Sequence, residues 1–419
     1  MRYLPFFMLL GMPLFALTLD EAVHTALEKN PNINLVRSDT LKQKQLLKQS
    51  QALRFGKLDA LASYTHYNLP RTLKPLVPPI ESSVPSTQNL CSVGVTYTVA
   101  LFTGFEEQSD IEIAELSTVI ANSTLSITSQ QLVYNVKSLY LKILASQALL
   151  QAQLSYLKAV NELHKNIVLE VELEKKAKLD ALKSAAAIEE SKLQIIKIRS
   201  NLKILRASLS ELMGVENLEE LEQVSIEQVA LNSSLNVYEK SIEGLERYRS
   251  VALNEKRAQK AQDKVRALYY PQVMFNSYYG QNFGAGFDEN LWQAGVTANW
   301  TLFDFGKRSA QMQSAEIIQM QAKLHSSKMK FLMKKEFIQA VSNVESEQQN
   351  IKSNQAQVAL LNETQRIEQV RYDNGAVELN DLLLAKAKYL LTQSRLIETE
   401  FRYQDALFYL EYLRESETL

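Results

Sequence analysis

The residue types that most often carry catalysis are scattered along this chain. It has 419 residues with four histidines and one cysteine, and no two histidines stand four residues apart. A zinc site needs clustered Cys or His ligands, and an activated thiol or hydroxyl needs a base beside it. Neither pattern occurs at His24, His66, His164, His325 or Cys91. We therefore predict no metal site, no thiol chemistry and no cofactor.

Phosphate-binding loops and acid/base pairs are equally hard to find. The sequence has no GxxxxGK[ST] loop, and Gly284-Ala285-Gly286 lies in a predicted loop without the strand-to-helix context of a nucleotide fingerprint. Carboxylates are plentiful, but on helices they more often form a solvated face, so no catalytic pair is assigned. An enzyme would need a clustered nucleophile and base, and we predict that the chain is not one.

Composition indicates a folded chain with long helices. There are 46 Lys and Arg against 47 Asp and Glu, so the chain lacks the basic surplus of a nucleic-acid binder. With 46% hydrophobic residues it can bury a core. No Gly or Pro occurs between Phe105 and Met213, and Gly375 is the single one after Lys307. Two long stretches are thus free of helix breakers.

The N-terminus has the pattern of a signal peptide. Arg2 precedes an uncharged apolar run from Tyr3 to Leu19, with the small Ala16 near its end. The alternative is a buried N-terminal helix, but Pro5 and the abrupt change to charged sequence at Asp20 favour export. We predict cleavage after Ala16.

Comparing the chain with itself reveals a duplication. CSVGVTYTVALFTGFE at residues 91–106 matches WQAGVTANWTLFDFGK at residues 292–307, at an offset of 201 residues. The same offset pairs Asp180 with Asp381, so the match extends without insertion into the following helical stretch. This predicts one structural unit used twice.

Each copy carries two stretches that alternate between apolar and small or polar residues, which predicts β-strands. The apolar positions of the second strand in each copy are Val93, Val95, Tyr97, Val99 and Leu101, and Ala294, Val296, Ala298, Trp300 and Leu302. The first strand of each copy is predicted at Leu58–Leu69 and Pro271–Gln281, with loops at Pro70–Asn89 and Asn282–Asn290.

The alternation fits strands that cross a membrane, with apolar residues outward and small polar residues inward. Trp292 and Trp300 bracket the fourth strand, and they join Phe102 and Phe303 as candidate membrane-interface anchors. A soluble β-sandwich alternates in the same way and is the alternative. Four strands cannot close a membrane barrel, which needs about eight, and lipid does not tolerate open sheet edges. Strands that span a membrane would therefore come from several copies, and three copies give 12.

Heptad-like helical sequence follows each pair of strands, over residues 106–170 and 307–371. At 1.5 Å per residue each stretch is about 98 Å long. Asn374-Gly375 supplies a stop and reversal, and the corresponding turn of the first copy is predicted from the repeat alone. The predicted segments are a signal peptide (1–16), an N-terminal helix (17–57), a first β-hairpin (58–105), a first helical hairpin (106–213), an insertion (214–236), a helix (237–270), a second β-hairpin (271–305) and a second helical hairpin with the C-terminal part (306–419).

The chain resembles the TolC-like outer-membrane efflux protein family over nearly its whole mature length. The residues that carry the resemblance are LTLDEAVHTALEKNPNI (17–33), LFDFG (302–306) with Ala315-Glu316, and RYDNGAVELNDLLLAKAKYLLTQSRL (371–396). The resemblance implies a mixed α and β membrane protein. It would be a trimer with a 12-stranded transmembrane β-barrel, continued by a long periplasmic α-helical barrel of a Gram-negative bacterium. It also implies a passive duct, docked to a periplasmic adaptor and an inner-membrane pump.

The resemblance also implies roles for individual residues. Asp381 matches an acidic position that rings the entrance, Asp180 is its repeat mate, and Tyr372 matches a tyrosine of the latch that closes that entrance. A second acid of the ring is replaced by Leu384, and the arginine of the latch is replaced by Val377. The alternative for Asp381 is a solvated carboxylate at a helix start. Adaptor-contacting tips are assigned to Leu173, Glu174, Asn374 and Gly375, and the alternative is that these are simply two helix turns.

The main rival function is a secreted or periplasmic coiled-coil adaptor or spacer whose strands form a soluble domain. That protein would be extracted without detergent and would conduct no ions.

Overall fold

The computed structural model describes residues 16–79, 84–224 and 235–415. The predicted signal peptide, apart from its last residue, and part of the predicted insertion lie outside the described residues. The helices are α1 (Leu19–Lys29), α2 (Pro31–Ala52), α3 (Glu106–Glu172), α4 (Lys178–Met213), α5 (Leu235–Ser241), α6 (Glu246–Arg266), α7 (Lys307–Asp373) and α8 (Leu379–Arg414). The strands are β1 (Lys57–Thr72), β2 (Ser86–Phe102), β3 (Gln272–Gly284) and β4 (Phe287–Asn299).

The chain divides into two compact units, and both include part of α3 and part of α7. The hairpin unit consists of the described parts of residues 1–35, 126–245 and 331–419, and it contains α1, α4, α5 and α8. The sheet unit consists of the described parts of residues 36–125 and 246–330, and it contains all four strands. Among the described helices, none has an apolar stretch of the length and hydropathy needed to cross a membrane.

The helices confirm the predicted duplication. α3 and α7 have 67 residues each, α4 and α8 have 36 each, and both pairs are separated by 201 positions. The two β-hairpins differ in their connections, because residues 73–85 join β1 to β2 while residues 285–286 alone join β3 to β4. The two copies therefore have helices of identical length but β-hairpin loops of different length.

The four strands form one antiparallel sheet in the order β1-β2-β3-β4, which confirms the predicted four-stranded architecture. Its register places the apolar residues of neighbouring strands opposite one another, as in Val95↔Tyr279 and Tyr279↔Trp292. Since alternate residues share a face, Ser92, Gly94, Thr96 and Thr98 lie on the other face with Asn276, Tyr278, Asn282, Gly295 and Thr297. Ser92 Oγ donates there to Asn282 Oδ1 at 2.7 Å. The sheet thus has one apolar and one polar face.

Two details of the predicted strands are wrong. The loop at Pro70–Asn89 is shorter than predicted, because the ladder resumes at Arg71↔Thr87 and Thr72↔Ser86 beyond an irregularity. The tryptophans do not bracket the fourth strand, since Trp292 pairs with Tyr279 in the middle of β4 and Trp300 follows its last residue. β4 begins earlier than predicted because a two-residue turn with positive φ at Ala285 and Gly286 starts the pairing at Phe287.

The two shorter segments predicted as single helices, residues 17–57 and 237–270, are each interrupted. α1 ends at Lys29, and Asn30 Oδ1 accepts hydrogen bonds from the backbone N–H groups of Asn32 and Ile33, at 2.8 and 3.1 Å. This cap and the proline at the first position of α2 start a new helix. In the second copy, a 3-10 turn at Ile242–Gly244 separates α5 from α6.

Left-handed residues connect each second strand to its long helix. Gly104 and Phe105 have φ of 66° and 71°, and Phe305 and Gly306 have φ of 54° and 91°. A Cβ on Gly104 would lie 2.6 Å from the carbonyl oxygen of Ala267, so the approach of the chains requires glycine there.

Candidate functional site

The turns between the long helices have the same backbone in both copies. In the first turn, the N–H groups of Glu174 and Lys175 donate to the carbonyls of Val171 and Glu170, at 3.0 and 2.8 Å. In the second, the N–H groups of Gly375 and Ala376 donate to those of Tyr372 and Arg371, at 3.0 and 2.8 Å. These are the two bonds of a Schellman motif, whose left-handed residue is Glu174 (φ 58°) or Gly375 (φ 73°). The repeat enforces this geometry even where glycine is absent.

A lysine of the first turn holds the end of the second long helix. The Lys176 Nζ lies 2.9 Å from Glu170 Oε2 and 3.3 Å from the centre of the Tyr372 ring. The side chain of Lys176 is 20% exposed, so water screens these contacts only in part. Burial alone would lower the pKa of Lys176, but its contacts with Tyr372 and Glu170 outweigh that effect and raise it.

Tyr372 anchors the apolar cluster beneath both turns. It is 5% exposed and packs with Leu163, Ile167, Leu379 and Leu382. Its Oη is buried and has no hydrogen-bond partner among the described residues. Burial raises the pKa of Tyr372, and the carboxylates of Asp180 and Glu170 act in the same direction, against the opposing Lys176 ammonium. The tyrosine is thus held neutral beneath a cation.

The two repeat-related aspartates have different surroundings. Asp180, in the first turn of α4, is half-buried and close enough to Tyr372 to influence its pKa. Asp381, in the first turn of α8, is exposed, and its side chain has no partner among the described residues. Leu384, one turn further on, is also exposed. The structure therefore brings Asp180 and Tyr372 into one cluster with Lys176 and leaves Asp381 facing solvent.

The residues assigned as tips lie at the ends of the two helical hairpins. Leu173, Glu174, Asn374 and Gly375 are all exposed. Asn374 Nδ2 donates to the carbonyl of Val370 at 2.8 Å, which helps to end α7.

Aromatic side chains crowd the junction between strands and long helices. Trp300 Nε1 donates to the carbonyl of Tyr269 at 3.2 Å, and Phe303 packs against Phe305, with ring centres 4.7 Å apart. Phe102 contacts the edges of Phe105 and Tyr270, at 5.5 and 6.4 Å. Trp292 lies apart from this group, in mid-strand, and is 73% exposed.

Several of these residues were not identified from the sequence. Tyr269 and Tyr270 precede the third strand, and the only available signal was their adjacency to Pro271. Lys176 lies in the charged run Glu172–Lys178, which looks like a solvated face. Across residues 16–79, 84–224 and 235–415, no group of three or more His, Cys, Asp or Glu is arranged to hold a metal ion.

Comparisons with known proteins agree with this architecture. The sequence profile of the family described as outer membrane efflux protein matches residues 22–215 and 245–413. No curated protein matches the chain significantly.

Solved structures share the fold at low sequence identity. A membrane protein from Pseudomonas aeruginosa is 16% identical with a TM-score of 0.83, covering 94% of this chain and 90% of that chain. The outer membrane protein VceC from Vibrio cholerae is 16% identical with a TM-score of 0.80, covering 94% and 95%. The CmeC outer membrane channel from Campylobacter jejuni is 14% identical with a TM-score of 0.82, covering 95% and 87%.

Proposed function

The chain belongs to the outer membrane efflux protein family, and we propose that it forms the outer-membrane channel and periplasmic duct of a tripartite efflux or type I secretion system. In this role it conducts substrates passively, from an inner-membrane pump and a periplasmic adaptor to the exterior of a Gram-negative cell. In this proposal the energy for transport comes from the pump.

The observation that carries the proposal is the sorting of the sheet into two faces. Exposed apolar side chains on one face, among them Leu58, Tyr64, Val95, Tyr279 and Trp292, suit contact with lipid. Small and polar side chains on the other face suit a water-filled lumen. A soluble sheet would bury its apolar face against a second layer.

The free edges of β1 and β4 support a trimer. Each carries a row of backbone donors and acceptors that no strand of the described chain pairs. In lipid such groups must be satisfied, and pairing β4 of one copy with β1 of the next closes a ring. Three copies supply 12 strands.

The entrance gate is assigned to the two turns of the hairpin unit. In this proposal Asp381, which is exposed, lines the entrance with carboxylates from three copies, and Asp180 and Tyr372 belong to the latch. Lys176 supplies the cation that the family pattern would place at Val377. Its contact with Tyr372 ties the first turn to the second, and its ion pair with Glu170 holds the ammonium group within the first turn, so that opening requires the Lys176–Tyr372 contact to break.

The remaining assignments concern contact surfaces. Leu173, Glu174, Asn374 and Gly375 meet the adaptor at the hairpin tips, where they are exposed. Trp300, Phe102 and Phe303 mark one interface of the lipid, together with Tyr269 and Tyr270, and Trp292 lies within the apolar band.

The test is planar-bilayer conductance of the detergent-extracted protein, with and without a divalent cation. We expect discrete steps from trimeric particles and a cation block that Asp381→Ala weakens, because the substitution removes three carboxylates from one ring. Glu345→Ala is the matched control, since it removes an exposed α7 carboxylate outside the proposed ring and latch.

The possible outcomes distinguish the proposed channel from the proposed ring of carboxylates. Steps whose block is insensitive to Asp381→Ala would retain the channel and discard the assignment of the ring. Absence of conductance from a protein that is extracted without detergent would favour the periplasmic coiled-coil spacer.

A further inference from the structure

A groove of about 630 Å³ lies inside the hairpin unit, where α8 runs beside α3 and α4. Apolar side chains from all three helices line it, including Leu149, Ile198, Leu383 and Leu390. Leu384 and Leu391 lie on its rim and are more than half exposed. Volumes of this size are typical of sites for small molecules.

The charged groups of this groove are all acidic. Glu190 and Glu398 are its only ionisable lining residues besides Tyr156. Neither carboxylate forms an ion pair among the described residues, although Gln194 Nε2 donates to Glu190 Oε1 at 2.9 Å. An apolar surface with negative charge and no cation favours a ligand that is apolar and positively charged.

A second cavity, of about 330 Å³, adjoins the groove at Leu149 and Glu398. Asp405 lines it, and the Oδ1 of that carboxylate is buried without a hydrogen-bond partner among the described residues. Of its two cationic residues, Arg402 is held by Glu347 and Thr399, at 3.8 and 3.1 Å, and Lys142 is exposed. At the junction of the two cavities, the carboxylate of Glu398 therefore forms no ion pair among the described residues.

We propose that this groove binds a hydrophobic cation, a compact aliphatic or aromatic molecule with one ammonium group. The apolar body lies against Leu383 and Leu390, and the ammonium group donates to Glu398 where the cavities meet. Removal of apolar surface from water favours this contact. The carboxylate of Glu398 favours a positively charged ligand over a negatively charged one of the same shape. This binding does not depend on conduction, so it stands or falls separately from the channel.

The experiment measures binding of hexylammonium by calorimetry to the assembled protein in nanodiscs of zwitterionic lipid, with empty nanodiscs as the blank for partition of the probe into lipid. Hexanesulfonate, with the same chain and the opposite charge, is the ligand control. Glu398→Gln removes the charge, and Ala387→Trp fills the groove from an exposed position on α8. Glu345→Gln makes the same change at an exposed α7 carboxylate outside the groove and is the protein control.

We expect Glu398→Gln to weaken hexylammonium binding about threefold, because Glu398 is exposed and water screens its contact with the ammonium group. Ala387→Trp should abolish binding, and Glu345→Gln should leave it unchanged. Equal affinity for hexanesulfonate would overturn the proposal, since it would indicate simple partition into an apolar surface. So would unchanged affinity in both groove variants, or no binding to the wild-type assembly, the result expected if a neighbouring subunit covers the groove.

Discussion

The two helical turns have the same backbone conformation but contribute different side chains to the site. Position 176 of the first turn is a lysine and its repeat mate is Val377, while Tyr372 of the second copy has Val171 as its mate. Val171 and Val377 both pack against the apolar cluster, and Lys176 and Tyr372 contact each other above it. The two copies thus share the geometry of the turn, and they differ at two positions where one copy has valine and the other has the cation or the aromatic ring of the contact between them.

The largest effect on the contact between the two turns is expected from Lys176→Met, which keeps approximately the length of the side chain and removes its charge. Loss of a partly buried cation–π contact and its ion pair should cost about 1–2 kcal/mol. Hydrogen exchange at the amides of Gly375 and Ala376 should therefore quicken about tenfold. Lys175→Met is the control, because Lys175 is exposed and has no such contact. Equal exchange in the two variants would mean that Lys176 does not hold the turn.

Gly375→Ala tests the backbone of the second turn. A Cβ at φ 73° costs about 1 kcal/mol, although open space surrounds this glycine. Local exchange at the second turn should quicken about fivefold, while the first turn stays unchanged. An unaltered rate at Ala376 would show that the left-handed residue does not limit opening of this turn.

Glu174→Gly tests the same position in the first copy, and the effect should be smaller and opposite in sign. Glycine relieves the left-handed strain at φ 58° but adds freedom to the unfolded chain. We expect a net stabilisation of about 0.5 kcal/mol, seen as slower exchange at Lys175. Faster exchange would mean that the glutamate side chain itself supports the turn.

A change of pH should have the smallest effect on the contact of Lys176 with Tyr372, because both side chains lose their protons only at alkaline pH. The folded pKa values of Lys176 and Tyr372 lie above their ordinary values of 10.5 and 10.0. The stability that these groups contribute is therefore fully present below about pH 10 and is lost as pH rises through the folded pKa values. Exchange at Gly375 should be insensitive to pH, after correction for the intrinsic rate, up to about pH 9. Ultraviolet titration of wild type against Tyr372→Phe should show that this tyrosine ionises late.

Patterns with a strict period were predictable, and contacts between distant segments were not. The alternation at Val93–Leu101 identified a strand and its apolar face, and Asn374-Gly375 identified the second turn. The start of β4 at Phe287 was missed because Asp288, Glu289 and Asn290 interrupt the alternation, although they pair with β3. The contact of Lys176 with Tyr372 joins residues almost 200 positions apart in sequence, and no local pattern in a charged run distinguishes it.

The equal lengths of α3 and α7 restrict where the chain can change. Each helical residue advances the direction of its side chain by about 100°, so one residue added within α3 would turn every later side chain of that helix by that angle. Ile143 and Ile167 would leave the core, and the polar residues Lys142 and Asn166 would replace them. No helical phase constrains residues 74–79, which are exposed and follow β1. An epitope or a purification tag belongs there, where its length costs mainly loop entropy.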